Sequence, residues 1–256
     1  MVAPKHTITV SGIDVQIVRK GIKNLHLAVY PPNGHVRVAA PENITDDNVR
    51  LAVVSKLSWI KKQQQDFKDQ PRQTERKYIS GECHYYLGKR SRLEVIEREG
   101  KPEVRHLKSG KLKLFVKPGA SLITKEKLIT EWYRGQLKAA IPSLLEKWQP
   151  KVGKRVADWG IKKMRTKWGS CNIEQRRIWL NLELAKKPLE CLEYIVVHEL
   201  IHLHERNHNE RFKLLMEKHL PNWQALQKLL NRAPLAHEDW EYYHFILPNR
   251  KSSLVR

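Results

Sequence analysis

The spacing of apolar residues changes several times along the chain. His6 to Val10, Ile13 to Val18, Leu25 to Val29 and Val36 to Val38 are β-rich or alternating runs, which predicts strands. Ser11-Gly12 and Pro31-Pro32-Asn33-Gly34 separate them, and Asn-Gly is a strong hairpin signal. Thr45 is placed to cap a helix with Val49, Val53, Leu57 and Ile60 on one face. The polar run from Lys61 to Gln73 reads as a connector. A second β segment follows, with strands expected at Tyr78-Ile79, Tyr85 to Leu87, Leu93 to Ile96 and Leu112 to Val116. Gly81, Gly88, Gly100 and Gly110 punctuate it.

From about Ser121 the period becomes helical. Ile129, Trp132, Tyr133, Leu137, Ala140, Ile141 and Leu144 make an amphipathic stripe, which Pro142 is expected to kink or divide. A short β stretch is expected at Lys167 to Cys171 and Arg177 to Leu182. Helices follow from Pro188 to Arg206, Glu210 to His219 and about Pro221 to Arg232. No internal repeat is apparent. These elements predict an α+β fold. They place a β-rich portion with one helix at residues 1–118 and a helical domain at 119–256.

Composition narrows the class. A hydrophobic fraction of 41% fits a globular chain. No run of apolar residues is long enough to span a membrane, and the start of the chain lacks a secretory signal's apolar core. Three scattered cysteines, Cys83, Cys171 and Cys191, do not make a disulfide framework, so a reducing cytoplasm is the expected compartment. The net charge of +21 suits a polyanionic partner, nucleic acid or nucleotide, and equally suits plain solubility.

One motif carries a direct mechanism. In His198-Glu199-Leu200-Ile201-His202, the two histidines lie four apart, on one face of a helix, where they can grip one zinc ion. Glu199, beside the first histidine, is placed to take a proton from water. The surrounding helix is largely apolar, and two imidazoles and a carboxylate inside it are costly without partners. His208 is the expected third ligand, brought back by a helix end at Asn207 in a left-handed conformation. His204, out of phase with the pair, and His219 read as surface or supporting histidines. His237, His244, Glu238 and Glu241 are weak rival ligands.

Further segments extend the pattern. The metal helix is followed by Asn207-His208-Asn209 and Phe212, and together these resemble the zinc helix of the YgjP-like metallopeptidases. That family is related to the SprT-type and WLM-type zinc proteases, all of them zincins. Trp168-Gly169-Ser170-Cys171 is similar to a strand of the same group, and Ile79-Ser80-Gly81-Glu82 with Tyr86-Leu87-Gly88 resembles the YgjP-like N-terminal part. The resemblance spans about residues 20 to 235. It implies a zincin-like metal domain, one zinc held by His198, His202 and His208, and a catalytic Glu199. Glu205 stands where metzincins have glycine, and Met216 lies in an expected helix, so the SprT-like side fits better.

Residues 151 to 187 carry eleven Lys or Arg against three acids, just ahead of the metal helix. A cationic rim there would steer an anionic substrate, and Arg165, Lys167 and Trp168 are candidate substrate contacts. The plainer reading is a solvated face, with Trp168 packed and Cys171 a buried thiol. Stabilisers of the transition state are sought among Arg165, Lys167, His204, Tyr242 and Tyr243. The expected function is a zinc-dependent hydrolase of protein or peptide. The alternatives are a metal-dependent nucleoside triphosphate hydrolase and a non-catalytic nucleic-acid-binding module with a structural zinc.

Overall fold

The computed structural model describes residues 5–30, 33–69, 76–164 and 167–232. These residues fall into two compact units, one within 1–71 and one within 72–237.

In the first unit, β1 (Lys5–Val10), β2 (Ile13–Lys20), β3 (His26–Tyr30) and β4 (His35–Pro41) form a sheet in the order β1-β2-β4-β3. The two central strands run parallel and both outer pairs antiparallel. Val15, Ile17, Val36 and Val38 alternate inward and meet Val49, Val53 and Ile60 from the helices in one buried core. Thr45 caps α1 (Asp46–Val54), its side chain accepting from the Asn48 amide. The chain breaks at Ser55-Lys56 and resumes as α2 (Leu57–Asp69). The polar run expected as a connector is therefore helical through Asp69. Its Lys and Gln residues are good helix formers, and Gln64 Nε2 donates to the Gly34 carbonyl at 2.9 Å.

The second unit opens with β5 (Cys83–Tyr86), β6 (Lys89–Glu97), β7 (Glu103–His106) and β8 (Lys111–Val116), in the order β5-β6-β8-β7. Tyr78-Ile79 is not a strand, because Tyr78 sits in the left-handed region at φ 53°. α3 (Leu122–Val152) is one helix with Pro142 and Pro150 inside it. Pro142 does not divide it: the carbonyl deprived of its donor belongs to Lys138, which is exposed. Next come β9 (Asp158–Lys162), β10 (Gly169–Asn172) and β11 (Arg177–Asn181), in the order β10-β11-β9, with β10 on an edge. A 3-10 helix at Leu182–Lys186 leads into α4 (Leu189–Ile201), followed by α5 (Glu210–His219) and α6 (Trp223–Arg232).

The compact unit holding the histidines begins at residue 72, not at the expected 119. The β5–β8 sheet is fastened to the helices behind it. Tyr133 Oη donates to the Tyr85 carbonyl at 2.7 Å, and the Leu87 and Gly88 amides donate to Ala185 and Lys186 at 3.0 and 3.2 Å. Helix α4 is apolar nearly all round and buries Leu192, Ile195, Val196, Val197, Leu200 and Ile201, which makes it the centre of this unit.

Candidate metal centre

Helix α4 carries His198 and Glu199, and its last turn delivers His202. The helix ends at Ile201, five residues before the expected Arg206. The chain then tightens: the Leu203 and His204 amides donate three residues back, to Leu200 and Ile201. Asn207 is not left-handed. The reversal is made instead by this tight turn and by His202 Nδ1, which lies 3.0 Å from the Glu205 carbonyl. Asn209 then caps α5, its Oδ1 accepting from the Phe212 amide at 3.0 Å. This sets His208 just before the cap and Phe212 three residues after it, with their rings 4.7 Å apart.

The three imidazoles converge. His198 Nε2 lies 3.2 Å from His202 Nε2 and 2.9 Å from His208 Nε2. Zinc–nitrogen bonds of about 2.0–2.1 Å in a tetrahedron put ligand nitrogens about 3.4 Å apart, so the spacing fits one metal ion. Among the described residues this is the one cluster able to hold a metal. The donation of His202 Nδ1–H to the Glu205 carbonyl leaves its Nε2 lone pair facing the other two rings. Burial, and the charges the histidines would place on one another, push His198 well below the usual histidine range and His208 down to about 4; burial lowers His202 too. All three are neutral donors at pH 7. Phe212 walls the cluster, its ring centroid 4.7–4.9 Å from each imidazole.

Glu199 is buried, and burial raises its carboxyl to about 8 against the opposing pull of the Lys167 ammonium. Its Oε2 and His198 Nδ1 are buried polar atoms without a hydrogen-bond partner among the described residues, the condition a bound ion and its water relieve. The carboxyl lies directly on β10: a Cβ at Gly169 would sit 2.4 Å from Oε1.

Of the expected substrate contacts, Lys167 is exposed and its charge acts on both Glu199 and His202. Trp168 is 4% exposed with the Lys187 ammonium 5.3 Å above its ring, a packing position. Arg165 lies outside the described residues, as do His237, His244, Glu238, Glu241, Tyr242 and Tyr243. His204 faces away, Nε2 at 2.8 Å from the Val152 carbonyl. The remaining basic residues of 151–187 serve mostly local ends. Arg177 pairs with Asp158, Lys186 with Glu183 at 2.7 Å, and Lys162 lies 3.6 Å above the Trp179 ring. Cys171 sits beside Glu199, whose charge adds to burial in pushing the thiol up to about 12.

Sequence reasoning missed Asn181. It is fully buried, donates to the Met164 and Lys167 carbonyls at 2.9 and 2.7 Å, and accepts from the Glu183 amide. It thereby fixes the approach to β10. Its only signal was an Asn standing alone in an apolar strand.

The YgjP-like metallopeptidase domain matches residues 23–233. The chain belongs to this metallopeptidase family, and its α+β architecture is that of a zincin-like metallopeptidase domain. None of the curated proteins compared with it matches. Among solved structures, the metallopeptidase zymogen abylysin of Pyrococcus abyssi is 21% identical, over 37% of this chain and 99% of that one. The TM-score between the two is 0.33. No helix of the described residues is long and apolar enough to cross a membrane.

Proposed function

We propose that the protein is a zinc-dependent peptidase in which His198, His202 and His208 hold one zinc ion and Glu199 is the general base. The observation that carries this reading is the convergence of three neutral imidazole nitrogens beside a buried carboxyl with a free oxygen. Zinc at that place supplies a Lewis acid that acidifies water and polarises a carbonyl. Glu199 takes a proton from the attacking water on its free Oε2 and returns it to the leaving nitrogen. Burial favours the protonated carboxyl that the second transfer needs, and the charge of a bound cation would favour the ionised form that the first needs. Lys167 biases Glu199 toward its ionised, proton-accepting form.

An extended peptide suits the surroundings. β10 is an edge strand against Glu199, and an edge can pair with an incoming backbone. A triphosphate substrate requires a cationic cradle, and among the described residues Lys167 is the basic side chain whose charge reaches Glu199. A structural zinc leaves Glu199 without a role. The test is hydrolysis of unfolded protein, and separately of nucleoside triphosphates, by zinc-loaded wild type and by Glu199→Gln. Peptide cleavage present in the first and absent in the second is expected. Triphosphate hydrolysis lost in the variant, or no hydrolysis at all, overturns the reading.

A further inference from the structure

The β5-β6-β8-β7 sheet has two unlike faces. One is apolar: Leu93, Leu112, Leu114 and Val116 alternate onto it and are buried. Tyr86, on that side, meets Trp132 of α3 with ring centroids 4.9 Å apart. The other face is charged. The registers place Arg90 and Arg92 of β6, Lys111 and Lys113 of β8 and Arg105 of β7 on it together. Arg98, just past β6, joins them, its guanidinium 4.2 Å above the Phe115 ring.

These six cations share two carboxylates. Glu103 pairs with Arg98 and Arg105, each at 2.6 Å, and Glu94 with Lys113 at 3.8 Å. Arg90, Arg92 and Lys111 are exposed, and among the described residues no carboxylate pairs with them. Arg92 nevertheless lies beside Lys111 across about 4.8 Å, and about 6.6 Å along its own strand from Arg90. Like charges placed so work against the sheet. The groups are also held in place: Arg90 Nη2 donates to Cys83 Sγ at 3.3 Å, so less ordering opposes binding. Planar groups lie among them. Tyr85, half-exposed, stands directly opposite Arg90, and Arg105 lies 5.3 Å over the same Phe115 ring as Arg98.

From this unbalanced face we infer that the β5–β8 sheet binds a single-stranded nucleic acid. Phosphates supply the missing counter-charge, and guanidinium is the cation that grips phosphate through two N–H groups at once. The planar groups select the form of the strand. Tyr85 and the Arg98 guanidinium offer surfaces for bases, and a duplex keeps its base faces stacked inside. An acidic polypeptide would match the charge and leave the rings unused. The face shares no residue with the metal centre, so it stands or falls apart from the peptidase reading.

The test is fluorescence anisotropy of full-length protein with a labelled oligouridylate of about twelve nucleotides. One variant combines Arg90→Gln, Arg92→Gln and Lys111→Gln. A control combines Lys56→Gln, Lys61→Gln and Lys62→Gln, which removes the same charge at exposed positions of the first unit. Three lost phosphate contacts should make the salt dependence shallower by about 2 in log–log slope and weaken binding on the order of 100-fold at 0.1 M salt. The control should stay close to wild type. Tyr85→Leu should weaken oligouridylate about tenfold and leave polyglutamate binding unchanged. In wild type, bound oligouridylate should slow alkylation of Cys83 and not of Cys171, read by peptide mass spectrometry. No binding, equal losses in the two triple variants, a duplex or polyglutamate bound as tightly as the single strand, or unslowed Cys83 alkylation overturns the inference.

Discussion

Gly169→Ala isolates the placement of Glu199. The added Cβ would stand 2.4 Å from Oε1 and 2.8 Å from Cδ and Cγ, and ordinary contact begins near 3.4 Å. The carboxyl must retreat by about 1 Å. Gly169 is not in the left-handed region, so alanine brings no backbone strain and the effect is steric. A displacement of about 1 Å at a reacting group costs on the order of 100-fold in rate, and overpacking costs about 1–3 kcal/mol of stability. Gly160→Ala is the matched control. Its Cβ would meet the Trp179 ring at 2.3 Å, a similar overpacking not aimed at Glu199. The assay is kcat for cleavage of unfolded protein, with zinc affinity and Tm measured on the same samples. Gly169→Ala should lose about 100-fold in kcat at unchanged zinc affinity, while Gly160→Ala loses stability only. Wild-type kcat in Gly169→Ala would refute the reasoning.

Other predictions follow from the same geometry. His208→Ala should abolish tight zinc binding, and with it the thermal stabilisation by zinc that wild type shows, about 2.7 kcal/mol at a hundredfold excess over Kd; calorimetry with and without zinc reads both. Gly88→Ala brings a Cβ against Pro188 at φ 78° and should destabilise the protein by more than about 1 kcal/mol, measured by urea unfolding. His84, buried and beside the Arg76 and Lys186 charges, is lowered to about 3 from 6.5. The unfolded chain binds its proton first, so stability is full above about 6.5 and falls as pH drops toward 3. Unfolding midpoints across that window should decline less steeply in His84→Met than in wild type.

The metal centre was legible because its chemistry is local. A four-residue spacing on an apolar helix puts two imidazoles together without knowledge of the fold, and at the end of α4 their Nε2 atoms lie 3.2 Å apart. His208 was also legible as a third member of the cluster, and its Nε2 lies 2.9 Å from His198 Nε2, but the device that returns it was not. An Asn suggested a left-handed stop, whereas the chain turns through a tightened helix end held by His202 and Glu205, which depends on contacts no spacing encodes. Polar residues 61–69 looked like a connector because helix propensity is weak evidence without a stripe, and α2 buries Ile60 near its start. The strands Glu103–His106 and Asp158–Lys162 went unseen: each is short, and each owes its place to a neighbour's register. The role of Gly169 required knowing that β10 lies across Glu199.

The central claim is an open zinc site made by three histidines, and zinc-edge X-ray absorption on the zinc-loaded full-length protein addresses it directly. The account predicts one zinc per chain with three imidazole nitrogens at about 2.0–2.1 Å, unchanged in Glu199→Gln. A sulfur ligand at about 2.3 Å, or a fourth protein ligand closing the site, would contradict it.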